Sequence, residues 1–188
     1  MNGKLIIFSA PSGSGKTTIL KRLLSKGLPL EFSVSACSRP KRDGEIEGKD
    51  YYFLTSDEFR KKIDNDAFLE WEEVYAGSYY GTLKSELDRI WANGHHVVFD
   101  LDVLGGVKIK NIFKGKALSL FIQPPSLEEL ENRLKNRSTE TPETLQKRLD
   151  RAKMELSYAT HFDVCIVNNC LEDAIHEAEK VIVDFIKN

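Results

Sequence analysis

Residues 5–17 read Leu5-Ile6-Ile7-Phe8-Ser9-Ala10-Pro11-Ser12-Gly13-Ser14-Gly15-Lys16-Thr17. The unbroken apolar run at the start predicts a buried strand, and the proline, serines and glycines after it predict a turn. From Lys16 onward, apolar residues recur at helical spacing at Ile19, Leu20, Leu23 and Leu24. A buried strand, a glycine-rich turn and an amphipathic helix, in this order, predict a loop that wraps a phosphate group.

The chemistry of this loop follows from its backbone and its last two residues. Successive N–H groups can curl around a polyphosphate, and the N-terminus of the following helix favours negative charge. Lys16 supplies a point charge, and Thr17 can place its hydroxyl on Mg²⁺. Glycine usually stands first in such a loop, whereas this chain has Ala10. We predict that nucleotide phosphates are bound by Ala10, Pro11, Ser12, Gly13, Ser14, Gly15, Lys16, Thr17 and Thr18.

Short apolar runs alternate with amphipathic stretches along the rest of the chain, which predicts an α/β fold with a central parallel sheet flanked by helices. Strands are predicted over 32–35, 97–100, 118–122 and 164–167, and a last helix from about 171 to 187. Two polar stretches interrupt the alternation. We interpret the chain as one domain with a phosphate-loop core (1–35, 83–123 and 151–188), an inserted mixed α/β lobe (about 36–82) and a helical lid (about 124–150).

Charge and composition exclude several classes of protein. The 188 residues include 27 basic and 29 acidic side chains, for a formal net charge of −2. No overall positive field therefore favours nucleic acid or an anionic membrane, so any anion must be held by a local cluster. No apolar run is long enough to span a bilayer, and no export signal is recognisable. The three cysteines lack paired spacing and suit a reducing compartment, so we expect a cytoplasmic protein without membrane or nucleic-acid partners.

A carboxylate at the end of the strand predicted over 97–100 is a second sign of a nucleotide site. Asp100 ends that strand, and from spacing alone a metal-binding role and a simple strand-end or capping role are equally compatible with it. The phosphate loop favours the metal role, because a carboxylate at this place would help to hold Mg²⁺ with ATP. We therefore predict Thr17 and Asp100 as the metal-binding residues.

Several further segments, in order and spacing, resemble guanylate kinase. They are Phe32-Ser33-Val34-Ser35, Ser38-Arg39-Pro40-Lys41-Arg42-Asp43-Gly44-Glu45, Gly48-Lys49-Asp50-Tyr51-Tyr52-Phe53, Phe68-Leu69-Glu70-Trp71, Tyr79-Tyr80-Gly81-Thr82, Asp100-Leu101-Asp102, Thr139-Glu140-Thr141 and Ile166-Val167-Asn168. Together with the loop, the resemblance covers nearly the whole chain. It implies Mg²⁺-dependent transfer of the γ-phosphoryl group of ATP to GMP, giving ADP and GDP, with a place in purine nucleotide metabolism and GMP recycling.

The resemblance also implies the residues that bind the acceptor, GMP. Glu70 is the residue on which base selection depends: guanine offers two adjacent N–H donors to a carboxylate, whereas adenine presents an acceptor and would leave that carboxylate unpaired. Two arginines three positions apart can converge on one phosphate through their N–H forks, and two tyrosines can each donate a hydroxyl. The implied GMP site consists of Ser35, Arg39, Arg42, Tyr51, Glu70, Tyr80, Thr82 and Asp102.

The remaining implied residues serve ATP and the transferring group. Arg133 and Arg137 are four residues apart on one predicted helix and so share a face, and Arg148 lies on the next helix. The resemblance places Asn168, with Asn169 beside it, against the adenine of ATP. The implied catalytic residues are Lys16, Arg42, Arg137 and Arg148, and Arg133 is implied in ATP binding.

Two other functions remain open on the sequence alone. One is a noncatalytic scaffold of the same fold that binds a phosphorylated or acidic peptide, although such modules lack the ATP loop that is intact here. The other is a kinase for a different monophosphate or a sugar phosphate. The sequence leaves the oligomeric state open.

Overall fold

The computed structural model describes residues 3–135 and 142–188. In chain order, the strands are β1 (Leu5–Ser9), β2 (Leu30–Phe32), β3 (Ala36–Cys37), β4 (Tyr52–Phe53), β5 (Phe68–Tyr75), β6 (Ser78–Leu83), β7 (His96–Asp100), β8 (Ala117–Gln123) and β9 (Val164–Val167). The helices are α1 (Lys16–Leu24), α2 (Ser56–Asp64), α3 (Lys84–Ala92), α4 (Val103–Phe113), α5 (Leu127–Lys135), α6 (Pro142–Ser157) and α7 (Leu171–Lys187). The chain divides into two compact units, one formed around residues 31–97 and the other by residues 4–30 and 98–188.

The central sheet has the parallel, helix-flanked architecture that the sequence predicts. Its five strands lie in the order β2-β7-β1-β8-β9. Strand β8 pairs in parallel with β1 on one side and with β9 on the other. All five residues of β1 are buried, which explains its unbroken apolar run. Because the carboxyl ends of parallel strands share one edge, the loop after β1 and Asp100 at the end of β7 meet at that edge.

The strand predicted over 32–35 is wrong in its extent. Strand β2 ends at Phe32, and the next strand, β3, begins at Ala36. The residues between them bond elsewhere: the Val34 N–H donates to the Glu86 carboxylate at 2.8 Å, and the Ser35 carbonyl accepts from the Tyr52 N–H at 2.9 Å. The chain thus leaves one sheet at Phe32 and enters another at Ala36.

The unit around residues 31–97 has its own mixed sheet, in the order β4-β3-β6-β5. Strand β3 pairs in parallel with β4 and antiparallel with β6, and β5 pairs antiparallel with β6. Its core is aromatic: the Phe59 ring stacks on Phe68 with centroids 4.3 Å apart and lies 5.4 Å from the Tyr79 ring. Thr55 and Glu58 form a reciprocal capping box that begins α2. This helix therefore starts at Ser56.

Helices α5 and α6 occupy the segment predicted as a lid. The Glu129 N–H donates to the Ser126 hydroxyl at 3.0 Å, which caps the start of α5. Leu130 and Leu134 of α5 pack with Ala152 of α6 in a small buried cluster. Arg137, predicted to be catalytic, lies outside the described residues. Across 3–135 and 142–188, no helix combines the length and the apolar character that a membrane crossing requires.

Candidate active site

The loop after β1 has the backbone that a phosphate cradle needs. Gly13 and Gly15 have φ values of 95° and 93°, a region that L side chains rarely adopt. The Ser14 N–H donates to the Pro11 carbonyl at 3.1 Å and closes the turn. Gly15 is the N-cap residue of α1, so the amides of the loop lead directly into the positive end of a helix dipole. The glycine-rich turn predicted between β1 and α1 is therefore formed in the structure.

Lys16 reaches back from α1 to the end of β7. Its ammonium group forms an ion pair with the Asp100 carboxylate and lies 3.4 Å from the Leu101 carbonyl oxygen. The Ser9 hydroxyl donates to that same carbonyl at 2.9 Å, which fixes the chain after β7 against β1. Asp102 caps α4, because its Oδ1 atom accepts the Gly105 N–H at 2.8 Å. The structure thus brings Lys16 and Asp100 together and gives Asp102 a structural task.

The oxygen ligands near Lys16 are of the kind that Mg²⁺ prefers. Asp100 has a carboxylate whose side chain is 27% exposed, and Thr17, next to Lys16, is exposed at the start of α1. In the described ranges, no three His, Cys, Asp or Glu side chains cluster closely enough to hold a metal by themselves. Mg²⁺ in nucleotide sites needs no such cluster, because water and substrate phosphates supply most of its ligands. Thr17 and Asp100 therefore fit this metal.

The segment after β9 is tied to the phosphate loop. Asn168 is buried, and its side-chain amide donates to the Ser14 carbonyl at 2.7 Å. A Cβ atom on Gly15 would lie 2.2 Å from the Asn168 amide nitrogen, so glycine is required there by space as well as by φ. Arg133 of α5 donates to the Asn168 carbonyl at 3.1 Å and pairs with Glu129 at 2.9 Å. Three predicted ATP-binding residues, Ser14, Arg133 and Asn168, are thereby joined in one network.

Arg39 stands at the centre of an aromatic and acidic cage. Its Nε donates to the Tyr80 hydroxyl at 3.2 Å, and its guanidinium carbon lies 5.0 Å from the centroid of the Tyr51 ring. The Tyr51 and Tyr80 rings meet edge to face with centroids 6.0 Å apart. Burial raises the pKa of the Tyr51 hydroxyl, so this group stays protonated and able to donate near neutral pH. Three of the four predicted phosphate-binding residues thus form one cluster.

Glu45 is the member of this cluster that sequence reasoning did not assign. Its two carboxylate oxygens accept from the Arg39 guanidinium at 2.5 and 2.7 Å, and one of them also accepts the Arg42 N–H at 2.8 Å. These hydrogen bonds raise the pKa of Arg39 and lower that of Glu45 to about 2. The two-nitrogen edge of Arg39 therefore faces Glu45. In the sequence, Glu45 is an acid three residues after Arg42 in a basic loop. The same pattern is typical of a solvated loop, so it did not indicate the contact with Arg39.

The Glu45 carboxylate makes a pH-dependent contribution to stability. Because its pKa falls from an ordinary 4.5 to about 2 on folding, the contribution is complete above about pH 4.5 and is lost as the pH falls towards 2. We expect the free energy of unfolding of the unaltered protein to fall more steeply over that interval than that of Glu45→Gln. Denaturant titrations at several pH values measure both curves, and parallel curves would contradict the assignment.

Glu70 and Thr82 form the second cluster of predicted GMP-binding residues. They face each other across β5 and β6, and the Thr82 hydroxyl donates to Glu70 Oε1 at 2.6 Å. Thr82 is 1% exposed, whereas Glu70 is partly exposed. An ionised carboxylate has about four lone-pair sites in total, more than one hydroxyl donor occupies. The structure thus brings these two predicted GMP-binding residues together.

The remaining predicted site residues lie at or near the surface. Thr18 and Asn169 are exposed beside the phosphate loop and Asn168, respectively, and Ser35 is partly buried between β2 and β3. Arg42 is exposed in the loop after β3, and Arg148 is exposed on α6. Their roles in binding or catalysis remain predictions.

Taken together, the parallel sheet, the loop after β1 and the Lys16–Asp100 pair define a phosphate-loop nucleotide-binding protein. The guanylate kinase family profile matches residues 2–185, and on this basis the chain belongs to that family. It is therefore a nucleoside monophosphate kinase that transfers phosphoryl groups between ATP and GMP.

Individual relatives agree with this assignment. The guanylate kinase of Bacteroides thetaiotaomicron is 53% identical over 186 residues, which cover 99% of this chain and 91% of the relative. That of Porphyromonas gingivalis is 48% identical, covering 97% and 98% of the two chains. The crystal structure of guanylate kinase from Anaplasma phagocytophilum superposes with a TM-score of 0.77 at 28% identity, covering 99% of this chain and 87% of the other.

Proposed function

We propose that this protein transfers the γ-phosphoryl group of ATP to GMP through the residues described above. An oxygen of the GMP phosphate attacks the γ-phosphorus, and the bond from that phosphorus to the β–γ bridging oxygen of ATP breaks, giving GDP and ADP. The GMP phosphate is already an ionised nucleophile, so no proton has to be removed. The observation that carries the proposal is the Glu70–Thr82 pair, whose acceptor atoms suit guanine and leave adenine unsatisfied.

On the ATP side, we assign the triphosphate to the amides of the loop from Ala10 to Thr18. Lys16 cancels charge on the transferring phosphoryl group, whose equatorial oxygens carry most of the negative charge in the transition state. For this task the Lys16 ammonium has to exchange its contact with Asp100 for phosphate oxygens. Asn168 and Asn169 are assigned to the adenine, and Arg133 supports them from α5.

Mg²⁺ is assigned to Thr17 and Asp100. These two residues would hold the metal beside ATP, where it would supply positive charge that offsets the charge of the phosphates. The chain itself would contribute the Thr17 hydroxyl and the Asp100 carboxylate. Asp100 would have to leave its ion pair with Lys16 to hold the metal.

On the GMP side, Arg39, Arg42, Tyr51 and Tyr80 are assigned to the phosphate. Arg39 uses four of its five N–H groups on Glu45, Tyr80 and the Pro40 carbonyl, which leaves one N–H on Nη2 for a phosphate oxygen. Its contribution is thus a positioned positive charge and one donor. The base is assigned to Glu70 and Thr82, with Ser35 and Asp102 as further contacts.

The lid at 124–150 is assigned the last part of the site. Arg137 and Arg148 would reach the transferring phosphoryl group, and closure of this segment would exclude the water that otherwise hydrolyses ATP. We further propose a cytoplasmic enzyme of purine nucleotide metabolism and GMP recycling that engages no nucleic acid or membrane.

A coupled assay across the four common monophosphates tests the proposal. We expect ADP formation that depends on GMP and is near background with AMP, CMP or UMP, because only guanine satisfies Glu70 with two adjacent donors. Equal rates with AMP would contradict the assignment of Glu70, and ADP formation with a sugar phosphate alone would point to another acceptor. A protein that binds GMP without forming ADP would behave as a scaffold.

A further inference from the structure

Glu86 is a buried carboxylate to which neither the proposed reaction nor the sequence analysis gives a role. It lies on α3, is 2% exposed, and receives hydrogen bonds from three different segments of its unit. The donors are the Val34 N–H at 2.8 Å, the Tyr52 hydroxyl at 2.8 Å and the Arg89 guanidinium at 2.8 and 2.9 Å. We infer that Glu86 is a positioning residue for GMP, acting through the segments that carry Ser35 and Tyr51.

The contacts of Glu86 lead directly to those two residues. Val34 immediately precedes Ser35, which is assigned to the guanine base, and Tyr52 immediately follows Tyr51, which is assigned to the phosphate. The two segments are also bonded to each other, because the Tyr52 N–H donates to the Ser35 carbonyl at 2.9 Å. One carboxylate thereby fixes the spacing between a base contact and a phosphate contact. The inference rests on the proposed function for these two contacts.

The same helix also connects Glu86 to the Glu70–Thr82 pair. Helix α3 begins at Lys84, two residues after Thr82, so the backbone that carries Thr82 runs directly into the helix that carries Glu86. Segments that bear three proposed base or phosphate contacts are therefore joined to a single side chain. Rigid preorganisation of this kind strengthens binding, because the ligand no longer has to supply the cost of ordering the site.

The hydrogen bonds to Glu86 offset the cost of burying its carboxylate. Burial raises the pKa of the carboxyl group, but the hydrogen bonds from Arg89, the Val34 N–H and Tyr52 outweigh it and hold the pKa below its ordinary value. Arg89 in turn pairs with Glu31, and Glu31 accepts from His95 at 2.8 Å. A buried carboxylate of this kind is favourable only while its donors stay in place. Among the donors described for Glu86, the Tyr52 hydroxyl is the side chain that lies on β4, next to Tyr51.

The test is Tyr52→Phe, which removes one hydroxyl and leaves the ring, with Tyr79→Phe as the matched control. Tyr79 lies beside another proposed GMP residue, Tyr80, but its hydroxyl accepts a hydrogen bond from Arg60, at 3.3 Å, and none of the hydrogen bonds described for Glu86 involves it. We expect Tyr52→Phe to raise KM for GMP about fivefold, the factor that corresponds to one net hydrogen bond. We expect KM for ATP to stay unchanged, and Tyr79→Phe to leave both constants as they are.

A second variant keeps the test decisive if stability also changes. Glu86→Ala should raise KM for GMP at least as much, and Tyr52→Phe should add nothing to it in the double variant, because Glu86→Ala has already removed the acceptor of the Tyr52 hydroxyl. Thermal unfolding of the unaltered protein and the four variants gives the stability of each. A Tyr52→Phe protein that is less stable but keeps the unaltered KM for GMP would overturn the inference, as would an equal rise in both Michaelis constants.

Calorimetric titration with GMP in the absence of ATP separates this inference from the proposed function. If the unaltered protein binds GMP but forms no ADP, the proposed transfer fails, yet the comparison of GMP affinity between Tyr52→Phe and Tyr79→Phe still tests Glu86. If transfer proceeds normally and the two variants bind GMP equally well, only the inference about Glu86 fails.

Discussion

Replacing Lys16 by methionine should lower kcat by about 10³-fold, the magnitude associated with removing a group that stabilises charge on a transferring phosphoryl. Methionine retains the length and much of the volume of the side chain, so the loop and α1 should keep their structure. The change also leaves Asp100 without the ion pair that it has in this structure. Initial rates at saturating GMP and ATP measure the effect, and KM for ATP shows whether binding is weakened as well.

Lys21→Met is the matched control for this experiment. Lys21 is an exposed lysine on the same helix, one and a half turns further along, so its loss should leave kcat within about twofold of the unaltered value. Thermal unfolding should show both variants folded. A Lys16→Met protein that retains more than about a tenth of the activity would contradict the charge-cancelling role.

Replacing Glu70 by glutamine should lower kcat/KM for GMP by about 10²-fold or more, because an amide offers one acceptor and a donor where guanine presents two donors. The Thr82 hydroxyl can still donate to the remaining carbonyl oxygen, so the pair across β5 and β6 should persist. The ratio of GMP to AMP turnover is the sharper readout, and it should fall because the loss is specific to guanine.

Glu72→Gln provides the control for Glu70→Gln. Both glutamates lie on β5 two positions apart, so their side chains leave the same face of the sheet, but Glu72 is exposed. Its replacement should leave the GMP to AMP ratio unchanged. If Glu70→Gln and Glu72→Gln had the same small effect, the acceptor would be recognised elsewhere, and a kinase for a different monophosphate or a sugar phosphate would become the better explanation.

The parts of the fold that follow from local pattern were predictable. Strands β1 and β9 and helix α7 match the sequence expectation closely because each is a contiguous local pattern of apolar residues. The extension of β2 to Ser35 failed because the partner of the Val34 N–H is a side chain 52 positions away. Nothing in the local sequence indicates that a glutamate on a later helix will take that hydrogen bond.

In the candidate site, too, some parts follow from the local sequence and others do not. The phosphate loop was predictable, because its glycines, lysine and threonine have to be contiguous to surround a phosphate. The acceptor cluster depended on resemblance, since Arg39, Tyr51 and Tyr80 meet only in three dimensions. Glu45 and Glu86 were missed because an isolated acid near a basic residue is usually solvated, and only the observed contacts distinguish them from that case.

The space that Gly15 leaves for the Asn168 amide constrains how this chain can evolve. A larger residue at position 15 would strain the backbone, whose φ is 93°, and would displace the Asn168 amide, whereas a shorter side chain at 168 would lose the hydrogen bond to Ser14. A change at either position alone therefore damages the phosphate loop. The two positions are therefore constrained together, although 152 residues lie between them in the sequence.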